Sequence, residues 1–208
     1  MKKIQYIVTA VLLLIWFPYH GNAQHMGAKG GLNMANFAGE SADNMEYRAG
    51  GILGAYVYLP VTSQFGIQPE IYYSQRGSRS DGTIGETDID ARIDMQYIDL
   101  PVLAVLHTRT GLRFYGGPGM AFFLDGTIHT EATGQLLGWD VNESGTSEIN
   151  ENDVKSPSVF LSGGVGYNFG GMTLDLRYHR SVENVWDTPS EDNELQHSDI
   201  QIMLGIPF

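Results

Sequence analysis

The chain has 208 residues, with 12 Lys and Arg against 24 Asp and Glu, a formal charge of −12, and no cysteine. That length suits one domain. The acidic balance argues against a nucleic-acid binder, which needs a basic surface, and the lack of cysteine excludes disulfides and a lipid-modified N-terminal cysteine. The 26 glycines, with 11 tyrosines exceeding 9 phenylalanines, suit strands and interfacial aromatic girdles.

The first residues read as an export leader. Lys2 and Lys3 supply a positive start, Tyr6 to Phe17 form an apolar run, Pro18 breaks it, and Gly21-Asn22-Ala23 offers small residues for a peptidase. Cleavage is predicted after Ala23, which makes residues 1–23 a signal peptide and 24–208, starting at Gln24, the mature domain. The apolar run is too short for a spanning helix, which needs roughly 20 residues. No later segment qualifies either, because Gly or charge interrupts each one. A barrel strand, by contrast, needs only about 9–11 residues with one apolar face.

Eight alternating segments come after the leader, near 27–36, 49–59, 64–76, 95–107, 112–125, 157–169, 171–181 and 198–208. In the third, Phe65, Ile67, Ile71 and Tyr73 oppose Gln64, Gln68, Glu70 and Tyr72. In the fifth, Leu112, Phe114, Met120, Phe122 and Leu124 oppose Arg113, Tyr115 and Asp125. In the seventh, Met172, Leu174, Leu176 and Tyr178 oppose Thr173, Asp175, Arg177 and His179. In the eighth, Ile200, Ile202, Leu204, Ile206 and Phe208 align.

The connections alternate in length. Those at 37–48, 77–94, 126–156 and 182–197 are long, whereas Pro60-Val61-Thr62-Ser63, Thr108-Arg109-Thr110-Gly111 and Gly170-Gly171 are short. Acidic residues gather in the long ones. An all-β, eight-stranded antiparallel up-and-down transmembrane β-barrel has this pattern, with short periplasmic turns and long external loops. Within 126–156, the stretches from Thr127 to Thr133 and from Gln135 to Val141 flank Gly134 and read as a hairpin extending the wall beyond the membrane.

The strand charges fall on the face opposite the apolar one. Lys29, Glu70, Arg76, Asp99, Arg113, Asp125, Asp175 and Arg177 are therefore assigned inward, as four acids against four bases. Buried charges persist when paired, and eight strands leave an interior that side chains just fill. A structural charge plug is the direct reading, and a proton or ion path is its sharper rival. The terminal Phe208, two residues after Ile206, reads as an assembly signal for the barrel-insertion machinery.

Several stretches carry a further likeness. They are Lys29-Gly30-Gly31-Leu32-Asn33, Gln68-Pro69-Glu70-Ile71-Tyr72-Tyr73-Ser74-Gln75-Arg76-Gly77, Tyr97-Ile98-Asp99-Leu100-Pro101 and Gly163-Gly164-Val165-Gly166-Tyr167. In order and spacing the chain resembles the PorT-like outer-membrane β-barrel proteins, which share their architecture with the small OmpX and OmpA barrels. The resemblance implies a fold and a location in the outer membrane of a Gram-negative cell. The family takes its name from a member tied to type IX protein secretion, a role that the resemblance does not extend to this chain.

No residue pattern demands catalysis, a cofactor or a metal. His179 reads as a hydrogen-bonded inner-face residue, whereas His129 and His197 are placed in external loops, where a rim-site hydrolase would keep such groups. Asp88-Ile89-Asp90-Ala91-Arg92-Ile93-Asp94 and Asn150-Glu151-Asn152-Asp153 read as solvated acidic loops, with weak divalent-cation bridging to lipopolysaccharide as the alternative. Trp139 and Trp186 read as interface anchors. The expected function is a non-enzymatic barrel, monomeric, with a structural, surface-interaction or accessory role. Its partners are membrane lipid and lipopolysaccharide, the assembly machinery and an unidentified protein. A narrow channel or transporter, a component of protein secretion and a soluble lipocalin-like carrier are the alternatives.

Overall fold

The computed structural model describes residues 25–38, 46–84, 86–136, 139–185 and 196–208. The expected leader, its cut at Ala23, and Trp186 lie outside the described residues.

Nine strands form one antiparallel sheet: β1 (His25–Ala38), β2 (Glu46–Pro60), β3 (Phe65–Ile84), β4 (Glu86–His107), β5 (Leu112–Leu136), β6 (Trp139–Glu148), β7 (Ser158–Phe169), β8 (Met172–Ser181) and β9 (Gln196–Pro207). The order β4-β3-β2-β1-β9-β8-β7-β5-β6 closes on itself through an added β4–β5 pairing. Eight strands make the barrel. β6 stands outside that count, because it pairs only with the upper part of β5, at 127–136, while the lower part of β5 pairs with β7. The stretch expected as a wall extension thus extends the wall, but Gly134 is not its turn: β5 runs on to Leu136, with Gly134 paired to Val141, and β6 continues to Glu148.

The alternation explains why the sheet closes this way round. Outward positions are apolar: Leu32, Leu53, Leu161, Leu176, Leu204 and Ile206 are each at least half exposed. Inward positions are buried and carry the charged and polar side chains, with apolar ones such as Ile52, Leu103, Val105 and Met203 among them. A soluble carrier would have the opposite dressing, since exposed apolar surface on this scale needs a lipid contact. Closure satisfies the edge strands that a bilayer would otherwise leave unpaired. At the short-turn end, Gly170 and Gly171 adopt φ of 53° and 82°, the left-handed conformations that a two-residue hairpin requires.

Two expectations need correction. Residues 77–94 are not a loop: β3 and β4 stay paired from Gly77↔Asp94 to Ile84↔Thr87. The charged residues there alternate with Ile89, Ala91 and Ile93, so the stretch keeps a strand period once it leaves the membrane. The assignment of Asp125 fails for a second reason. The register between β4 and β5 shifts from Tyr97↔Phe123 to Gln96↔Asp125, which leaves Leu124 as the extra residue of a bulge. A bulge reverses the facing of the residues beyond it, and Asp125 is exposed.

The long arms and the short turns define opposite ends. An epitope inserted between β5 and β6 should be labelled by antibody on intact cells, and one inserted at Gly170-Gly171 only after permeabilisation. The reverse pattern would invert the orientation.

Candidate functional site

The strand pattern concentrates charge inside the barrel in two clusters. In the half nearer the short turns, Lys29 Nζ lies 3.0 Å from Glu70 Oε1 and 3.1 Å from Asp175 Oδ2. Arg177 Nη2 lies 2.7 Å from Glu70 Oε2. Arg113 holds Asp175 through Nη2 at 2.6 Å and Nε at 3.2 Å from Oδ1, and Gln68 Nε2 donates to Glu70 Oε1 at 2.6 Å. Aromatic faces complete the packing. Lys29 Nζ stands 4.7 Å from the Tyr56 centroid, and Arg177 Cζ stands 5.2 Å from Tyr115 and 5.3 Å from Tyr72.

The position of Gly166 makes the Arg113–Asp175 pair fit. It sits between them in the cross-strand row Arg113↔Gly166↔Asp175. A Cβ there would overlap Asp175 Oδ1 and stand 2.6 Å from Arg113 Nε, so only glycine lets the two side chains meet.

In the half nearer the long arms, Arg76 is the hub. Its Nη2 lies 2.6 Å from Asp99 Oδ2 and its Nε 2.7 Å from Asp199 Oδ2. Ser74 Oγ donates to Asp99 Oδ2 at 2.7 Å. His179 Nε2 stands 3.9 Å from Asp199 Oδ2. Lys29, Glu70, Arg76, Asp99, Arg113, Asp175 and Arg177 are thus inside and within these clusters, whereas Asp125 is outside. Asp199 takes its place. The pattern held the signal for it, because Asp199 precedes outward Ile200 and so faces inward. The two clusters therefore join four bases to four acids.

An apolar roof covers the upper cluster. Phe37, Met95, Tyr97, Ala121, Phe123 and Phe160 from the wall pack with Ile149, Val154 and Val185 from the connections above. The roof is tied down by Ile149 N donating to Gly126 O at 2.8 Å, Lys155 N to Val185 O at 2.8 Å, and Phe123 N to Ser156 Oγ at 3.1 Å.

The histidines divide. His197 is not on the rim. It is buried beside Phe37 and Tyr97, with Nε2 3.1 Å from Tyr97 Oη. His179 is buried, with Nδ1 3.4 Å from Ser162 Oγ and its ring 4.0 Å from that of Phe160. His129 is on the outer surface and bonds Thr146 Oγ1 through Nδ1 at 3.0 Å. Among the described residues no group of acidic and histidine side chains is arranged to hold a metal ion. Asp90 and Asp94, expected in a solvated loop, instead pair with Arg79, and with Arg48 and Arg92. Glu151–Asp153 form a short 3-10 helix. Phe208 stays exposed, with its N donating to Met26 O at 2.8 Å.

A closed barrel with an apolar exterior and a charged, filled interior is an integral outer-membrane β-barrel. A family model for the outer membrane protein beta-barrel domain matches residues 21–187, and the chain belongs to that family. No curated protein matches the chain. Solved structures similar to it include Ail, the attachment invasion locus protein of Yersinia pestis, in complex with the heparin analogue sucrose octasulfate. The identity is 13% over 89% of this chain and 99% of Ail, with a TM-score of 0.45. Neisserial surface protein A matches at 12% identity over 88% of this chain and 97% of its own, with a TM-score of 0.47. The outer membrane enzyme PagL matches at 10% identity over 89% and 100%, with a TM-score of 0.28.

Proposed function

We propose that this protein is a non-enzymatic outer-membrane barrel of the PorT-like group with a structural or surface-interaction role, and that its lumen is a plug rather than a path. One observation carries this reading: the buried charges pair four with four beneath a roof of apolar side chains. A conducting lumen needs water and loosely held charge, and this one has side chains that hold one another. Residues 1–23 direct export and are removed in the course of it. Phe208 serves as the terminal aromatic of the assembly signal, lipid and lipopolysaccharide surround the wall, and the long acidic arms meet the exterior.

An enzymatic reading has one observation in its favour. Ser162, His179 and Asp199 stand in a row, with contacts of 3.4 Å and 3.9 Å. All three are buried and Asp199 is engaged by Arg76, so no substrate reaches the serine. Refolded protein incubated with phospholipid or lipopolysaccharide should release no acyl chain. Release that disappears in both Ser162→Ala and His179→Ala would make this an enzyme.

The domain 24–208 should also require detergent and show heat-modifiable mobility on gels. A folded monomer soluble without detergent would contradict the membrane reading.

A further inference from the structure

The arm ends in a free edge that the plug does not use. β6 pairs with β5 from Thr127↔Glu148 to Leu136↔Trp139 without a register shift, and the sheet order ends on it. Ile149 N donates to Gly126 O at 2.8 Å, which makes these two a hydrogen-bonded pair of the same ladder. Such pairs recur at every second residue of an antiparallel ladder. Glu143, Gly145 and Ser147 therefore turn their N–H and C=O groups toward β5. Ser144, Thr146 and Glu148 turn theirs the other way, where no strand follows among the described residues. Residues Glu143 to Glu148 are exposed.

Folded proteins guard such an edge with lysine, proline, a bulge or a very short strand. β6 has ten residues, no lysine, no proline and an unbroken ladder. What it does carry is negative charge, in Asp140, Glu143 and Glu148, with no basic residue among them. Two copies of the chain pairing edge to edge have two registers of greatest overlap, because only the even-numbered positions offer free groups. One is centred on Glu143 and sets that residue against its own copy. The other is centred on Ser144 and sets Asp140 against Glu148. Like charges directly opposite destabilise a strand pair, and opposite charges stabilise it. The edge thus repels a second copy and fits a strand that bears lysine or arginine.

We propose that β6 is a docking edge for an extended, basic segment of another protein, which joins the arm as a further antiparallel strand through the backbone of Ser144, Thr146 and Glu148. The edge deepens the surface-interaction reading and rests on it. Backbone hydrogen bonds supply affinity whatever the sequence of the segment, and side chains supply the choice among segments. Glu143 and Glu148 are five residues apart, so they stand on opposite faces of the sheet. The segment that fits best has a base on each face, five residues apart.

The test uses the full chain refolded in detergent and a synthetic peptide of alternating threonine and valine with two lysines five residues apart. Two controls accompany it: the same peptide with glutamates for lysines, and the lysine peptide N-methylated at two adjacent central amides, one for each of its edges. In the free protein, amide hydrogen exchange should be fast at Ser144 and Thr146 and slow at Gly145 and Ser147, and the lysine peptide should slow the first two. It should bind about tenfold more tightly than the glutamate peptide, the size expected when two cross-strand charge pairs change sign. The methylated peptide should bind far more weakly. Glu143→Lys/Glu148→Lys should reverse the charge preference, and Ser144→Pro, but not Ser144→Ala, should weaken binding of the lysine peptide. Slow exchange at Ser144 and Thr146 in the free protein means that this chain or a second copy already covers the edge, and overturns the docking edge. Equal binding of the two charged peptides, or binding unmoved by methylation, overturns it too. Heat-modifiable mobility confirms that each variant is a folded barrel. A folded barrel that ignores the lysine peptide overturns the docking edge alone, whereas failure of wild type to fold as a detergent-dependent barrel overturns the membrane reading itself.

Discussion

Arg76→Ala should destabilise the barrel more than any other single change to the interior. Arg76 alone bridges Asp99 and Asp199, at 2.6 Å and 2.7 Å, in a fully buried position. Its loss leaves two carboxylates facing each other without a counter-charge. Breaking one buried pair costs about 3–5 kcal/mol, and here two are broken at once. The measurement is denaturant unfolding in detergent, followed by the loss of the fast-migrating folded band. Asp99→Asn/Asp199→Asn in the Arg76→Ala background should recover much of the loss, because amides at these positions need no counter-charge. A cavity effect alone would not be rescued in this way, since the amides do not refill the space.

Glu70→Ala should rank second. Glu70 accepts from Lys29, Arg177 and Gln68, so its removal takes the carboxylate from Arg177 and leaves Lys29 with Asp175 alone, in a half of the barrel that already has three bases against two acids. The loss should be about 3–5 kcal/mol. Arg177→Ala should cost somewhat less, because it leaves Glu70 still bonded to Lys29 and Gln68. Asp125→Ala, at an exposed position, should change stability by well under 1 kcal/mol. Glu151→Ala, in the short 3-10 helix above the membrane, should likewise do little.

The contrast between Asp125 and Asp199 shows what the sequence discloses and what it withholds. Alternation assigns inward seven charges that are buried in the structure, because a lipid face admits few exceptions to a period of two. It misplaces Asp125 because parity is counted through a bulge. The run Phe122-Phe123-Leu124 is the visible trace of that bulge, since three consecutive apolar residues cannot alternate. Asp199 stands at the start of the eighth segment and is left out of the inner set, although its neighbours Ile200 and Ile202 fix its facing. The strand pairing of 77–94 is hidden by charge, because beyond the membrane an outward position is polar and the usual contrast fades. Single apolar residues such as Val154 and Val185 give no local signal of a roof. Their role depends on which connections cross the mouth, and only tertiary contacts decide that.

The claim that the lumen is a plug is tested most directly by planar-bilayer recording of the refolded wild-type protein beside Glu70→Ala and Asp99→Ala. A filled, charge-paired interior predicts no steady conductance from wild type, and none gained by the variants while they remain folded. Steady cation-selective currents through the wild-type protein, abolished by Glu70→Ala or Asp99→Ala with stability unchanged, would contradict the plug and make this protein a channel.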